Sequence, residues 1–166
     1  MERLWSPWRM QFIKDSAPRG CPFCIDPDPQ AAPEGLVVAK GSKVFAVLNR
    51  FPYNTGHVLI LPYRHVGELE DLSDPELDEL GRFTRATVTA LRSAYSPAGF
   101  NIGANLGGTA GGSIPDHLHY HVVPRFPGDT NFMSVLGETK VLPEELPDTV
   151  TKLRRSWPLG LPERDD

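Results

Sequence analysis

Residues 116–125 read DHLHYHVVPR, which places His117, His119 and His121 at every second position in a chain with five histidines. Successive side chains of a β-strand point to opposite faces, so this spacing predicts a strand with all three imidazoles on one side. Leu118, Tyr120 and Val122 then share the other side, where they can pack on a core. One metal ion cannot easily collect the whole row. The Cα atoms of His117 and His121 stand roughly 13 Å apart in an extended chain, whereas zinc holds imidazole nitrogens at about 2.1 Å. Different histidines are therefore expected to do different jobs.

The residues before the row support a chemical reading. NLGGTAGGSIPD, residues 105–116, carries four glycines, which let backbone N–H groups approach an anion closely. Alone, this is an ordinary surface loop, since it matches neither a Walker motif nor G-x-G-x-x-G. Beside three imidazoles it reads as a phosphate cradle. A neutral imidazole can attack phosphorus, and the resulting phosphoramide divides one difficult displacement into two easier ones.

Farther out, LVVAKGSKVFAVLNRFPYNTGHVLILP, residues 36–62, gives three β-rich runs separated by turn-like KGSK and PYNTG, an antiparallel meander. Ser73 and Glu76 form a capping-box pattern, and Leu77, Leu80, Phe83, Leu91 and Tyr95 recur at helical spacing, which predicts one helix from about Asp74 to Tyr95. GFNIGAN, residues 99–105, is the next strand, and EELPDTVTKLRRSW, residues 144–157, is a weaker helical stretch in an extension packed on the same domain. Strands, one long helix, then strands again give an α+β class.

The chain has 166 residues, 40% of them hydrophobic and 23% charged, consistent with one globular domain over 1–166. No apolar run suffices for a membrane span, and MERLWSPWRMQFIKD does not read as a signal peptide, so a cytoplasmic location is expected. A net charge of −4 argues against binding long nucleic acid. The two cysteines form CPFC at Cys21 and Cys24, a spacing that fits a redox pair, half a metal site or two structural thiols. Zinc commonly takes two cysteines and two histidines, for which His65 and His117 are candidates. His57, opening a buried-looking strand, reads as a satisfied structural histidine.

HLHYHVV, residues 117–123, matches the H-x-H-x-H-x-x signature of the histidine triad (HIT) family. The resemblance extends to VFAVLNRFPYNTGHVLILPYRH, residues 44–65, and to the helix between, covering about 21–125. LWSPWRMQF and GDTNFMSVLGETKVL, residues 4–12 and 128–142, resemble the bacterial branch that includes diadenosine tetraphosphate phosphorylases. The resemblance implies a HIT fold, a homodimer and an adenine nucleotide substrate. It makes His119 the nucleophile that takes an adenylyl group, with His121 contacting the phosphoryl oxygens and helping the leaving group depart. Asn49 is set against the ribose, Phe45 and Leu48 against adenine, and Asn105, Gly112 and Ser113 in the phosphate loop. That loop is one residue longer than in the common eukaryotic members. Cys21, Cys24, His65 and His117 match the structural zinc site of zinc-containing relatives, and no catalytic cofactor is implied. Asn131, Thr139 and Lys140 offer donors suited to phosphate as a second substrate, which makes phosphorolysis of diadenosine tetraphosphate the leading expectation. The alternatives are hydrolysis releasing AMP and a nucleotide-binding regulatory module with negligible turnover.

Overall fold

The computed structural model describes residues 20–28, 34–112, 114–129 and 142–158. The expected meander is β1 (Val37–Lys40), β2 (Val44–Leu48) and β3 (Val58–Pro62), each antiparallel to the next. α1 (Asp74–Tyr95) has the bounds its hydrophobic period predicts. β4 (Gly99–Ala104) and β5 (Tyr120–Arg125) complete a five-stranded sheet in the order β1-β2-β3-β5-β4, an α+β fold as the sequence indicates. The late strand β5 is thus inserted in the sheet, pairing His121 with Leu59 on one side and with Gly103 on the other.

Leu80, Phe83, Ala90 and Leu91 of α1 pack against Val44, Ala46, Leu48, Val58 and Ile60. Leu118, Tyr120 and Val122 lie in the same helix-side core, so the alternation predicted for the histidine segment holds. α2 (Leu146–Ser156) adds Val150 and Leu153 to this core. Its Arg154 donates to the carbonyls of Gly35 and Val37, which fastens it to β1.

The start of α1 departs from its apolar pattern. Leu77 is 39% exposed, whereas Glu76 and Glu79 are buried. Both carboxylates have specific donors. Glu76 accepts Ser73 N–H and Oγ–H at 2.8 Å and two Arg64 N–H groups at 2.7 and 2.8 Å. The Arg64 guanidinium holds its carboxyl down to about 2. Glu79 closes the β1–β2 turn by accepting from the backbone of Ser42, Lys43 and Val44 and from the Ser42 hydroxyl. A Cβ at Gly41 would stand 2.7 Å from the Phe83 ring, so this turn approaches α1 too closely for a side chain.

The histidine row also differs from a single continuous strand. The ladder begins at Tyr120, and residues 117 and 118 are held instead by single contacts to the end of β3 and the segment after it. Leu118 N–H donates to Val66 O at 2.6 Å, and His117 Nε2–H donates to Pro62 O at 2.9 Å. A Cβ at Gly67 would lie 2.7 Å from Pro115 O, showing how closely the two backbones approach. Among the described residues no helix is long and apolar enough to cross a membrane.

Candidate active site

The face of the sheet opposite the helices carries the histidines. Phe45, Leu59 and Leu61 form a smaller apolar cluster there, and Phe23 and Ile25 pack against it. The Phe23 ring also meets His117 and His119, with centroids 5.8 and 5.2 Å away. Residues 20–28 therefore bring the cysteine segment onto the histidine face.

At one end of the row, Cys21 Sγ lies 3.4 Å from His117 Nδ1, and Cys24 Sγ lies 3.5 Å from His65 Nδ1 and 3.8 Å from His117 Nδ1. One ligand atom from each of the four residues falls within 4.8 Å of all the others. Tetrahedral zinc with bonds of about 2.1–2.3 Å separates its ligands by about 3.6 Å, so the set fits. The donor chemistry fits as well. A carbonyl can only accept, so the His117 bond to Pro62 O puts its proton on Nε2 and leaves Nδ1 bare toward the sulfurs. Phe23 N–H points at Cys21 Sγ at 3.4 Å, as suits a thiolate.

The same rule assigns the next two histidines. His119 donates from Nδ1 to His117 O at 2.8 Å, which leaves the Nε2 lone pair free. His57 accepts Tyr53 N–H on Nδ1 at 3.1 Å, so its proton is on Nε2 and is donated to His121 Nδ1 at 2.9 Å. His121 consequently carries its proton on Nε2. That nitrogen is buried and has no partner among the described residues. Two adjacent rings, 5.0 Å between centroids, thus present a bare nitrogen and an unmatched N–H. Burial, then the neighbouring imidazoles His121 and His119, push His57 down to about 3. Burial and His119 push His121 down to about 4, so both are neutral near pH 7.

Asn49 stands beside this relay. Its Oδ1 accepts Phe51 N–H at 2.9 Å, and its Nδ2 lies 3.3 Å from His57 Nδ1. Asn105 follows β4 and meets the returning loop: a Cβ at Gly112 would lie 3.5 Å from Asn105 Cβ. Gly107 and Gly111, with φ of 71° and 90°, make the turns that this return needs.

The expectation for Leu48 is corrected. It is 1% exposed and belongs to the helix-side core, because it stands three positions from Phe45 on a strand whose faces alternate every residue. Phe45 is on the histidine face but lies beneath Tyr63, ring to ring at 5.2 Å. Ser113, Asn131, Thr139 and Lys140 lie outside the described residues.

The family model for the HIT domain matches residues 31–128. The AP-4-A phosphorylase of Mycobacterium tuberculosis is 45% identical over 95% of this chain and 85% of its own. The chain belongs to the HIT family. Another relative, the asymmetrical bis(5'-nucleosyl)-tetraphosphatase of Schizosaccharomyces pombe, is 36% identical over 54% of this chain and 52% of its own. The crystal structure of a hypothetical histidine triad nucleotide-binding protein from Sulfolobus tokodaii superposes with a TM-score of 0.65 at 25% identity, covering 82% of this chain and 91% of that one.

Three residues of this HIT face were not legible as site residues. His57 is buried, as expected, but it also fixes the tautomer of His121. Phe23 walls His119, and Tyr53 stacks beside His57. The alternation of His57, Leu59 and Leu61 was the available signal for His57, once β3 is known to neighbour β5.

Proposed function

We propose that this protein transfers an adenylyl group from diadenosine tetraphosphate to phosphate, through a covalent intermediate on His119. The observation that carries the reading is the proton arrangement of the row. His119 Nε2 is bare because Nδ1–H is engaged, and His121 Nε2–H is a donor without a partner among the described residues. The lone pair of His119 attacks the α-phosphorus, the bond to the bridging oxygen breaks, and ATP leaves as the anion, its departing oxygen accepting a hydrogen bond from His121 Nε2–H. A phosphate oxygen then attacks the same phosphorus, the P–N bond breaks, and ADP leaves. The backbone of the loop from Asn105 through Gly112 and Ser113 cradles the phosphoryl oxygens. Asn49 meets the ribose, and Phe23 with the apolar cluster around Phe45 borders the base.

Zinc bound by Cys21, Cys24, His65 and His117 would supply a structural clamp, holding Phe23 and the His117 carbonyl in place. Asn131, Thr139 and Lys140 donate to the second-substrate phosphate in this proposal. The protein acts in the cytoplasm as a homodimer, for which the sheet edge at β4, with Ile102 47% exposed, offers a surface.

Similarity to the fission-yeast tetraphosphatase favours hydrolysis as the second reading. The triad serves both, so the acceptor decides between them. Product chromatography with and without phosphate is the test: phosphorolysis gives ATP and ADP, and Lys140→Ala lowers that route more than any hydrolysis. Equal AMP and ATP, unaffected by phosphate, would establish a hydrolase.

A further inference from the structure

The histidine face continues past His121 over β5 and β4, and it is hollow there. A cavity of about 410 Å³ reaches His121 and Asn105 of the phosphate loop and is lined by Tyr53, Asn101, Val123 and Arg125. Its volume falls within the roughly 300–1,000 Å³ of small-molecule pockets. The register explains the opening: Gly103 stands opposite His121, so the floor beside that ring has no side chain. A Cβ there would meet nothing within 4 Å.

Tyr53 is 59% exposed, yet it is held in place. Its ring lies 5° from parallel with His121, 5.9 Å between centroids, and its backbone N–H is bound to His57. The next residue, Asn54, is 4% exposed and donates to Pro124 O and Asp129 Oδ2, both at 2.8 Å. An exposed aromatic ring on an anchored backbone is a preformed stacking platform.

The charge balance selects the occupant. Among the lining side chains Arg125 alone carries a fixed charge, and Asp129 faces it with both oxygens, at 2.6 and 3.0 Å. A third Arg125 N–H donates to Asn101 Oδ1 at 2.8 Å and orients that amide. A polyphosphate gains little from a guanidinium already matched by a carboxylate. A flat, neutral group with hydrogen-bonding edges gains both the ring and the amides.

We infer that this cavity receives the second nucleoside of the dinucleotide, the one that leaves, with its base on Tyr53 and its edge met by Asn101. The inference rests on the adenylyl transfer proposed above. In that step the leaving oxygen accepts a hydrogen bond from His121 Nε2–H, so the departing chain starts at His121 and runs away from His119. The cavity begins there.

The test compares kcat/KM for diadenosine tetraphosphate and for adenosine 5′-tetraphosphate, which shares the adenylyl group and polyphosphate but lacks the second nucleoside. Wild type should favour the dinucleotide by about tenfold or more, the contribution of one base stacked on an aromatic ring. Tyr53→Ala and Asn101→Leu should each bring the ratio toward one. The ratio is the readout because Tyr53 touches His57 and His121, so damage to the triad lowers both substrates alike. A wild-type ratio near one, or a ratio that survives in both variants, overturns the subsite while leaving adenylyl transfer standing. If wild type turns over neither substrate, the transfer reading fails and the subsite fails with it.

Discussion

Replacing His57 by leucine separates a structural histidine from one that also orients His121. The substitution nearly conserves volume in a fully buried site, so packing loss is small. Two polar losses dominate. Tyr53 N–H loses its acceptor at 3.1 Å, a part-buried bond worth about 1 kcal/mol. His121 Nδ1 loses the donor at 2.9 Å, worth about 1 kcal/mol in the resting protein. The sum of about 2 kcal/mol corresponds to a fall in Tm of about 6 °C for a domain of this size. The activity loss has a separate cause. Without His57 the proton of His121 can sit on either ring nitrogen, and the ring can turn. Because charge develops on the departing oxygen that His121 Nε2–H meets, loss of that oriented donor is worth about 1.5–3 kcal/mol, a fall of about 10- to 100-fold in kcat. Calorimetry and steady-state kinetics with diadenosine tetraphosphate measure the two effects independently. His57→Gln keeps a donor and an acceptor at the tip and should recover part of both. A His57→Leu protein with wild-type kcat refutes the orienting role, as does a His57→Gln protein that recovers stability without any activity.

Other outcomes follow from the same geometry. His119→Ala should abolish turnover while nucleotide binding, followed by calorimetric titration, persists, and mass spectrometry of wild type should find the adenylyl adduct on His119. Metal analysis should give one zinc per chain, with Cys21→Ser losing the metal and thermal stability together; unchanged metal and Tm would remove the site. Stability should fall as the solution is acidified below pH 6.5. His57 is neutral in the fold down to about 3, so the unfolded chain binds the extra proton first, and by pH 5 this one group costs about 2 kcal/mol. Below pH 4.5 Glu76, held down to about 2 by Arg64, adds to the loss with the same sign. A flat denaturation midpoint between pH 7 and 5 would contradict the buried neutral state of His57.

What could be read from the sequence was mostly local. α1 carries its own signals in Ser73, Pro75 and the spacing of Leu80, Phe83 and Leu91, and the structure matches its bounds. The histidine row announces its faces by parity alone. The four metal-binding candidates come from three segments, yet they were legible because sulfur and imidazole are restrictive donor types and the family motif groups them. Leu48 was misplaced because nearness to Asn49 along the chain was given more weight than the two-residue period of β2. The capping box marked Glu76, but not its partner Arg64, 12 positions away. The inward carboxylate of Glu79 was missed because its donors at Ser42, Lys43 and Val44 lie 35 or more positions away, and nothing in the helix itself marks it. The His57 to His121 bond spans 64 positions and exists only because β5 enters beside β3.

That insertion has a kinetic consequence. β1, β2 and β3 can pair as neighbours along the chain, whereas the join of β3 to β5 closes a loop containing all of α1 and β4. Closing such a loop is entropically slow, and its contacts stabilise only after it has closed. His119 and His121 meet His57 and Phe23 through this last join, so no partly folded chain lacking it contains a working pair of imidazoles. In a refolding experiment, recovered enzyme activity should therefore trail the return of helical signal, marking the moment at which β5 takes its place in the sheet.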